Sequence, residues 1–229
     1  MKRSHGVFLI AAAIATVPGV TFATCTGGGP DGAATWDPSV RVPRTTSVGA
    51  GTDIGANASI GGYVNIGQCG TIGMDASGVR VASRSDVGNG VTMTNASTVG
   101  YKASVGDDTL LDNSRLAGSA VVAGTTTTLT DSSVGNHTKV GTNANFSGAS
   151  VSSYAVIGNN VTLTGSSIGY KVTLGDGVMV DSGTRVGKYA TVDPNVHIDS
   201  NAYIGSYAHV CADVAIGMTI AYKQSYGCN

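Results

Sequence analysis

The sequence contains no glutamate, and all fourteen of its acidic residues are aspartate. Charged residues form only 12% of the 229-residue chain, and aromatic residues only 6%. Leucine, lysine and arginine are also few, so most of the residues that stabilise helices are scarce. These absences exclude a helical bundle, a coiled coil and most α/β enzymes.

Glycine, in contrast, is abundant, with 34 residues, about twice its ordinary share. Hydrophobic residues reach 41%, which is too high for a disordered chain. Glycine does not recur at every third position, so the chain is not collagen-like. The composition therefore predicts an all-β protein, and the length suits a single domain.

The first 23 residues have the pattern of a secretory signal peptide. Lys2 and Arg3 precede an apolar run from Val7 to Val20, and the small residues around Ala23 indicate a cleavage site. The run is shorter than the roughly 20 apolar residues of a transmembrane helix, so an uncleaved anchor is the less favoured alternative. We expect residues 1–23 to be removed and the protein to be exported to the periplasm, the cell surface or the extracellular space, with no transmembrane segment.

An aliphatic residue recurs every six residues along most of the chain, and glycine commonly follows it. The position four residues after each of these anchors is usually small or β-branched. Self-similarity over so long a stretch predicts a solenoid. The anchors with six-residue spacing are Ile54, Ile60, Ile66 and Ile72, then Val81, Val87, Met93, Val99, Val105, Leu111, Ala117, Ala123 and Leu129, and finally Ile168, Leu174, Val180, Val186, Val192, Ile198, Ile204, Val210, Ile216 and Tyr222.

The interruptions of the period are themselves regular. Sides of five residues follow Leu129, Phe146 and Leu163, which are seventeen residues apart. Three consecutive coils would therefore lose a residue at the same corner. Only a structure in which the coils are stacked requires the omissions to be aligned in this way. One insertion of three residues lies between Ile72 and Val81.

The pattern aliphatic-Gly-x-x-small-x resembles that of the hexapeptide-repeat superfamily of left-handed parallel β-helices, over residues 42–222. The resemblance implies triangular coils of three six-residue sides, in which the anchor and the small residue point inward and glycine admits the tight corner. About ten coils, spaced about 4.8 Å apart, would form a prism about 50 Å long. Residues 24–41 are expected to form a leader and an N-terminal cap, and residues 223–229 a C-terminal tail.

The register assigns the anchors to three faces of the prism, which we name A, B and C. The residues two and three positions after an anchor form the corner that follows its face, so the B corner follows face B. Face A contains Met93, Leu111, Leu129, Phe146, Leu163 and Val180. Face B contains Val99, Ala117, Val134, Val151, Ile168, Val186 and Ile204. Face C contains Val105, Ala123, Val140, Ile157, Leu174 and Val192.

The B corner is rich in tyrosine and basic residues and contains no aspartate. The C corner, in contrast, carries Asp107, Asp108, Asp176 and Asp213 and no lysine or arginine. The B-corner residues are Tyr63, Tyr101, Tyr154, Tyr170, Tyr189 and Tyr207, together with Lys102, Lys171, Lys188, His137, Arg44 and Arg84. All of these except the two arginines are our candidate ligand-binding residues, because aligned aromatic and cationic groups suit sugars, anionic polymers or another protein.

The favoured interpretation is an exported, rigid structural or adhesive surface module. Its partner would be a cell-surface or extracellular polymer, such as a glycan or an anionic chain, or another protein; specific binding of nucleic acid is not expected. Two alternatives stay open for the tyrosines, which could stabilise the corner of the solenoid or pack in a subunit interface. Outward Leu110, Leu116 and Val122 indicate self-association, and the resemblance implies a homotrimer.

Face A has a second outward pattern, in which Thr-x-Thr recurs on alternate coils. Flat arrays of this kind resemble those of ice-binding β-solenoids, which gives a third functional hypothesis. The coils between them carry Leu110 with Asp112 and Asn145 with Ser147, so the array is interrupted. The pairs are Thr92 with Thr94, Thr128 with Thr130, and Thr162 with Thr164.

The resemblance also implies an enzymatic alternative, because many hexapeptide-repeat proteins are acyltransferases that use a histidine as general base between subunits. His137 at the B corner is the candidate base, whereas His197 and His209 point outward from strands on different faces. No insertion is longer than three residues. We therefore favour a protein that is not an enzyme and has neither catalytic residues nor a cofactor.

No metal site is expected either. Carbonic anhydrases of the superfamily bind zinc through three histidines, and their closely spaced histidine pair is missing here. The chain also lacks a cysteine pair with zinc spacing, a phosphate-binding loop and a nucleophile elbow.

Four cysteines allow three disulfide pairings. Cys69 and Cys211 would be about eight coils apart, far beyond the Cα separation of about 7 Å that a disulfide tolerates. Pairing the N-terminal segment with the C-terminal tail is equally out of reach unless a tail runs the length of the rod. Cys25–Cys69 and Cys211–Cys228 remain, each covering one end of the solenoid, unless the thiols are free.

Overall fold

The computed structural model describes residues 32–75 and 78–228, and every regular element in these ranges is a β-strand. The strands have two or three residues each and pair in parallel in three sheets of ten, ten and eleven strands. Successive strands of the chain belong to different sheets, so the chain winds as a parallel β-helix with about eleven turns. The predicted signal peptide, residues 1–23, lies outside the described residues. In the described part, no helix has the length and apolar character needed to span a membrane.

The three sheets are faces A, B and C, and each strand pairs with the strands one coil before and after it. Face A comprises Thr35–Trp36, Asp53–Ile54, Thr71–Ile72, Thr92–Thr94, Leu110–Asp112, Thr128–Thr130, Asn145–Ser147, Thr162–Thr164, Met179–Val180 and His197–Ile198. Face B comprises Ser59–Ile60, Arg80–Val81, Thr98–Val99, Arg115–Leu116, Ser133–Val134, Ser150–Val151, Ser167–Ile168, Arg185–Val186, Tyr203–Ile204 and Thr219–Ile220. Face C comprises Ser47–Val48, Asn65–Ile66, Asp86–Val87, Ser104–Val105, Val121–Val122, Lys139–Val140, Val156–Ile157, Thr173–Leu174, Thr191–Val192, His209–Val210 and Ser225–Tyr226.

The core is a column of anchors along each face. Leu129, Phe146 and Leu163 are completely buried and pair in register across face A. Threonine or serine often fills the inward position four residues after an anchor; the Thr138 hydroxyl, for example, donates to the carbonyl oxygen of Ser152 at 3.0 Å. Such bonds offset the cost of burying a hydroxyl group.

The glycine after an anchor is required by the close approach of the next coil. A Cβ atom on Gly169 would lie 2.7 Å from the carbonyl oxygen of Val186 and 2.8 Å from the amide nitrogen of Lys188. Both distances are shorter than a van der Waals contact, and both atoms belong to backbone that packing holds in place. Glycine therefore admits the corner because it lacks a Cβ atom and not because of its φ angle: the left-handed residue comes two positions later, at Lys171 in this coil.

Two predicted anchors, Ala117 and Ala123, are also wrong. Leu116 and Val122 hold the inward positions on faces B and C, and each is only 1% exposed. Neither residue therefore offers outward apolar surface for self-association.

The spacing explains this difference. The side from Leu111 to Leu116 has five residues, like those of the next three coils, and seven residues from Val122 to Leu129 restore the register. Leucine and valine bury more apolar surface than two alanines, so the shorter side is favoured.

The last coil is shorter than predicted. Ile216 is 73% exposed and Tyr222 is 61% exposed, so neither is an anchor. Val214 and Ile220 are the buried residues, and they pair with the anchors sixteen positions earlier. Strands at Thr35–Trp36 and Ser225–Tyr226 extend the β-helix beyond residues 42–222 at both ends.

The predicted disulfide between Cys211 and Cys228 is confirmed, with Cα atoms 5.0 Å apart. It attaches the last strand of face C to the coil before it. Cys69 is also disulfide-bonded, and its predicted partner, Cys25, lies outside the described residues. The described cysteines therefore include no free thiol.

Candidate functional site

The B corner is a row of residues with left-handed backbone. The third residue after each face-B anchor from Ile60 to Ile220 has a φ angle between 54° and 62°. From Arg84 onward, the N–H of this residue donates to a carbonyl of the preceding corner, as Tyr154 does to Asn136 and Tyr189 does to Tyr170, both at 2.9 Å. These bonds fix the corner residues of successive coils above one another. The left-handed residues are Tyr63, Arg84, Lys102, Ser119, His137, Tyr154, Lys171, Tyr189, Tyr207 and Lys223.

Six aromatic rings contact one another in an unbroken row along this corner. Their successive centroids are 4.7–5.7 Å apart. His137 stacks on Tyr154 and Tyr189 on Tyr207, whereas the other pairs meet edge to face. We call this row the aromatic ladder. Its members are His137, Tyr154, Tyr170, Tyr189, Tyr207 and Tyr222.

A lysine lies over the middle of the ladder. The Nζ atom of Lys171 is 5.4 Å from the ring centroid of Tyr170, 5.7 Å from that of Tyr189 and 6.0 Å from that of Tyr154. Cation–π attraction at such distances holds the ammonium group against the rings. Lys188, also predicted for the site, occupies the corner position before Tyr189 and is exposed.

The N-terminal candidates lie on the same edge but outside the ladder. Tyr101 forms a separate cluster with Arg84 and Lys102, whose cationic groups lie 5.9 and 5.4 Å from its ring centroid. Tyr63 stands apart, two coils before Tyr101, and is 65% exposed. The sequence therefore aligned the candidate residues on one edge, and the structure divides them into three groups.

Two residues of this edge were missed. The ring centroids of Tyr222 and Tyr207 are 5.6 Å apart, and the Nζ atom of Lys223 lies 5.2 Å from the Tyr222 ring centroid. Sequence reasoning had placed Tyr222 among the anchors because it lies six residues after Ile216. The signal that would have found Tyr222 is Ile220. Ile220 is the buried face-B anchor of this coil, and Tyr222 comes two positions after it, which is the first position of the B corner.

His137, the candidate general base, is exposed at the N-terminal end of the ladder. Its ring stacks on Tyr154 at 4.9 Å and has no carboxylate partner among the described residues. The imidazole nitrogens are therefore open to solvent or to a ligand.

The other two described histidines are paired with aspartates near the C-terminal end. His197 Nε2 lies 3.2 Å from Asp181 Oδ2 and 3.5 Å from Asp199 Oδ1 on face A. His209 Nε2 lies 2.7 Å from Asp193 Oδ1 on face C. The prediction that the two histidines lie on different faces is confirmed, but their aspartate partners, each of which directly follows a strand, were missed.

Among the described residues, Asp181, His197 and Asp199 form a group that could hold a cation. Its ligand atoms lie within 4.8 Å of one another. The three side chains already contact one another at 3.2 and 3.5 Å, so no further ligand is needed to explain their arrangement.

Face A carries the interrupted threonine array that the register predicts. Thr92 pairs with Leu110, Leu110 with Thr128, Thr128 with Asn145 and Asn145 with Thr162. Leucine and asparagine thus separate the threonines on successive coils.

No protein-family model matches the sequence, and the search of curated proteins finds no match. Solved structures with a similar fold include UDP-N-acetylglucosamine acyltransferase from Francisella novicida, at 17% identity over 82% of this chain and 67% of that one, with a TM-score of 0.40. The corresponding enzymes from Bacteroides fragilis and Arabidopsis are 16% and 15% identical, cover 81% and 82% of this chain and 68% and 69% of theirs, and have TM-scores of 0.38 and 0.33. Similarity at this level concerns the fold alone.

Proposed function

We propose that this protein is an exported, rigid β-helical module that binds a polymeric ligand, a glycan, along the aromatic ladder. The observation that carries the proposal is the unbroken contact of six rings from His137 to Tyr222, one from each coil. A regular row on a stiff support suits a ligand that itself repeats, because many weak contacts to one chain reinforce each other through their effective concentration.

Backbone strain at the B corner argues against a purely architectural ladder. Tyr154, Tyr189 and Tyr207 have φ angles of 60–62°, a conformation that costs an ordinary side chain about 1–2 kcal/mol. An aromatic pair returns about 0.5–1.5 kcal/mol. The two effects nearly cancel, and these rings remain 37–46% exposed, so stability alone does not account for tyrosine here. Residues kept in a strained conformation are commonly functional.

The polar groups of the ladder also suit a hydroxyl-rich ligand. In the described ranges, no tyrosine hydroxyl of the ladder has a hydrogen-bond partner in the protein, and Lys171 contacts rings rather than a carboxylate. Each phenol can therefore donate to and accept from a sugar hydroxyl.

Replacing Tyr154 and Tyr189 by asparagine and Tyr170 by serine tests the proposal. Asparagine occupies the same left-handed position at Asn160 and Asn195 of the C corner, and serine is the natural residue at Ser153 and Ser206 of the B corner. We expect the triple variant to lose retention on a polysaccharide column that retains the unaltered protein. Its melting temperature should change by no more than about 3 °C, because strain and ring contacts are lost together.

Tyr203→Ser is the matched control. Tyr203 is 48% exposed on a strand of face B, away from the corner, so its loss should leave retention unchanged. A triple variant that still binds the column would refute the ladder as the binding surface. One that unfolds would show that the tyrosines are architectural.

Acyl transfer is a second candidate, favoured by the unpaired imidazole of His137. A general base needs a free nitrogen within reach of the acceptor hydroxyl, and the other two described histidines are engaged by aspartates. If the protein is an acyltransferase, a panel of acyl-CoA donors will show turnover that His137→Ala abolishes. The absence of turnover across the panel would reject this candidate.

A further inference from the structure

A groove opens on face B where the row of corner side chains is interrupted. Gly118 and Ser119 occupy the B corner between Tyr101 and His137, so one coil contributes no large side chain. The groove has a volume of about 620 Å³ and extends from this gap onto the face, between Tyr101 and Asn136.

Two arginines line the groove from equivalent positions. Arg80 and Arg115 each precede a face-B anchor, and Thr98, between them, pairs with both. Two strand spacings of about 4.8 Å place their backbones about 10 Å apart. Both are exposed, and neither forms an ion pair with a described residue.

The adjoining corner adds positive charge, and the lining of the groove supplies no negative charge. Arg84 and Lys102 flank Tyr101 at the adjoining corner, and the groove has no aspartate in its lining. Two arginines in a lining without a carboxylate, with two more cations at the adjoining corner, create a positive potential in the groove that attracts anions. A second hollow of about 290 Å³, lined by Ser59 and Ser83, shares Arg80 and Tyr101 with the first and lengthens the site.

We propose that this groove binds a carboxylate-bearing sugar of an acidic polysaccharide, with Arg80 and Arg115 as the charge partners. The guanidinium group matches a carboxylate in a two-bond arrangement, Thr98 offers a hydroxyl, and Tyr101 forms one wall. The proposal rests on the proposed function and adds the ligand's charge to it: a polymer lying along the B edge would meet the arginines first and the ladder next.

Isothermal titration of the full chain with hexagalacturonate, an acidic hexasaccharide, and with neutral cellohexaose tests the inference. We expect hexagalacturonate to bind more tightly than cellohexaose, and added salt to weaken only the acidic ligand. Arg80→Gln and Arg115→Gln should each weaken hexagalacturonate about tenfold, the usual effect of losing a charged hydrogen bond.

Arg185→Gln is the matched control. Arg185 occupies the same outward position on the same face, four coils beyond Arg115 and outside the groove, so its loss should leave the affinity unchanged. Equal binding of both hexasaccharides, or equal damage from Arg185→Gln, would overturn the proposal. Equally tight, arginine-dependent binding of a single-stranded oligonucleotide of equal charge would also overturn it, because the groove would then recognise any polyanion.

The two proposals fail in different ways. If the arginine variants bind hexagalacturonate as the unaltered protein does, the groove is not the site, while column retention still reports on the ladder. If the arginine variants bind hexagalacturonate more weakly but the triple tyrosine variant remains on the column, the groove proposal is supported and the ladder proposal is refuted. If neither hexasaccharide binds and no polysaccharide retains the protein, both proposals are refuted.

Discussion

At the scale of single residues, the B corner combines two features that rarely occur together. Its third position has left-handed backbone in every coil from Tyr63 to Lys223, yet none of these positions carries glycine or asparagine. The C corner places Asn143, Asn160 and Asn195 at the equivalent positions. The same β-helix therefore has the left-handed backbone both with tyrosine, which is strained in it, and with asparagine, which is not.

Tyr63 isolates the strain, because it has the left-handed backbone without a neighbouring ring. Its φ angle is 57° and its side chain is 65% exposed. We expect Tyr63→Asn to raise stability by about 1 kcal/mol, because strain is relieved and no stacking is lost. Thermal unfolding should show an increase of about 2–4 °C.

Tyr189→Asn is the comparison for this prediction. Tyr189 has the same conformation but contacts the rings on both sides, so strain relief and lost contacts should offset each other. A larger stabilisation from Tyr189→Asn than from Tyr63→Asn would contradict the assignment of strain and stacking made here.

At the scale of elements, the last strand depends on the disulfide between Cys211 and Cys228. Within the part of the chain that the structure describes, the strand Ser225–Tyr226 pairs only with His209–Val210. Closing a loop of seventeen residues is worth about 3 kcal/mol. We expect Cys228→Ser to speed amide exchange at Cys211 and at other residues of the last coil, measured by mass spectrometry.

The middle of the β-helix should be unaffected by that change, because coils contact only their neighbours. Unchanged exchange at Cys211, or faster exchange throughout face A, would contradict the prediction. Loosening of Tyr222 would also remove one ring from the end of the ladder.

Register is what the sequence predicted best, and one error in register concealed the groove. The six-residue period located most anchors and hence the alignment of Tyr154, Tyr170 and Tyr189. Ala117, which is followed by Gly118, fits the repeat as an anchor as well as Leu116 does. Leu116 is the anchor because its larger side chain is the one that is buried. Taking Ala117 as the anchor moves Arg115 out of line with Arg80, so the two arginines did not emerge as a pair.

The end of the chain could not be predicted for a similar reason. Ile216-Gly217 fits the repeat, but the last coil omits two residues and buries Val214 and Ile220 instead. The last of the described coils contacts another described coil on one side only, so the spacing constraint that keeps six residues in an internal side is weaker there. A periodic sequence pattern does not predict contacts between individual side chains, such as those of His197 with its aspartates.

At the scale of the whole molecule, the repeat permits the removal of complete coils. Deleting residues 130–163 joins Leu129 to Thr164 and regenerates the Thr-Leu-Thr strand found at both places. Because Leu129 and Leu163 occupy the same position two coils apart, every later residue stays on its face. We expect a folded β-helix, shorter by about two strand spacings, or about 10 Å, as measured by small-angle X-ray scattering.

The shortened chain would lack His137 and Tyr154 and keep the other four rings of the ladder. Its affinity for the polymer should fall but not vanish, because fewer contacts are made at once. An unfolded or aggregated product would contradict the view that internal coils are interchangeable.

The opposed chemistry of two corners gives the rod as a whole an electric polarity across its axis. Cations follow the B corner, and Asp107, Asp108 and Asp176 lie at the C corner. Near an anionic matrix such a body experiences a torque as well as an attraction, and it rolls until the tyrosine-bearing edge faces the matrix. Orientation would thus precede recognition, and the remaining search would be a slide along a single axis.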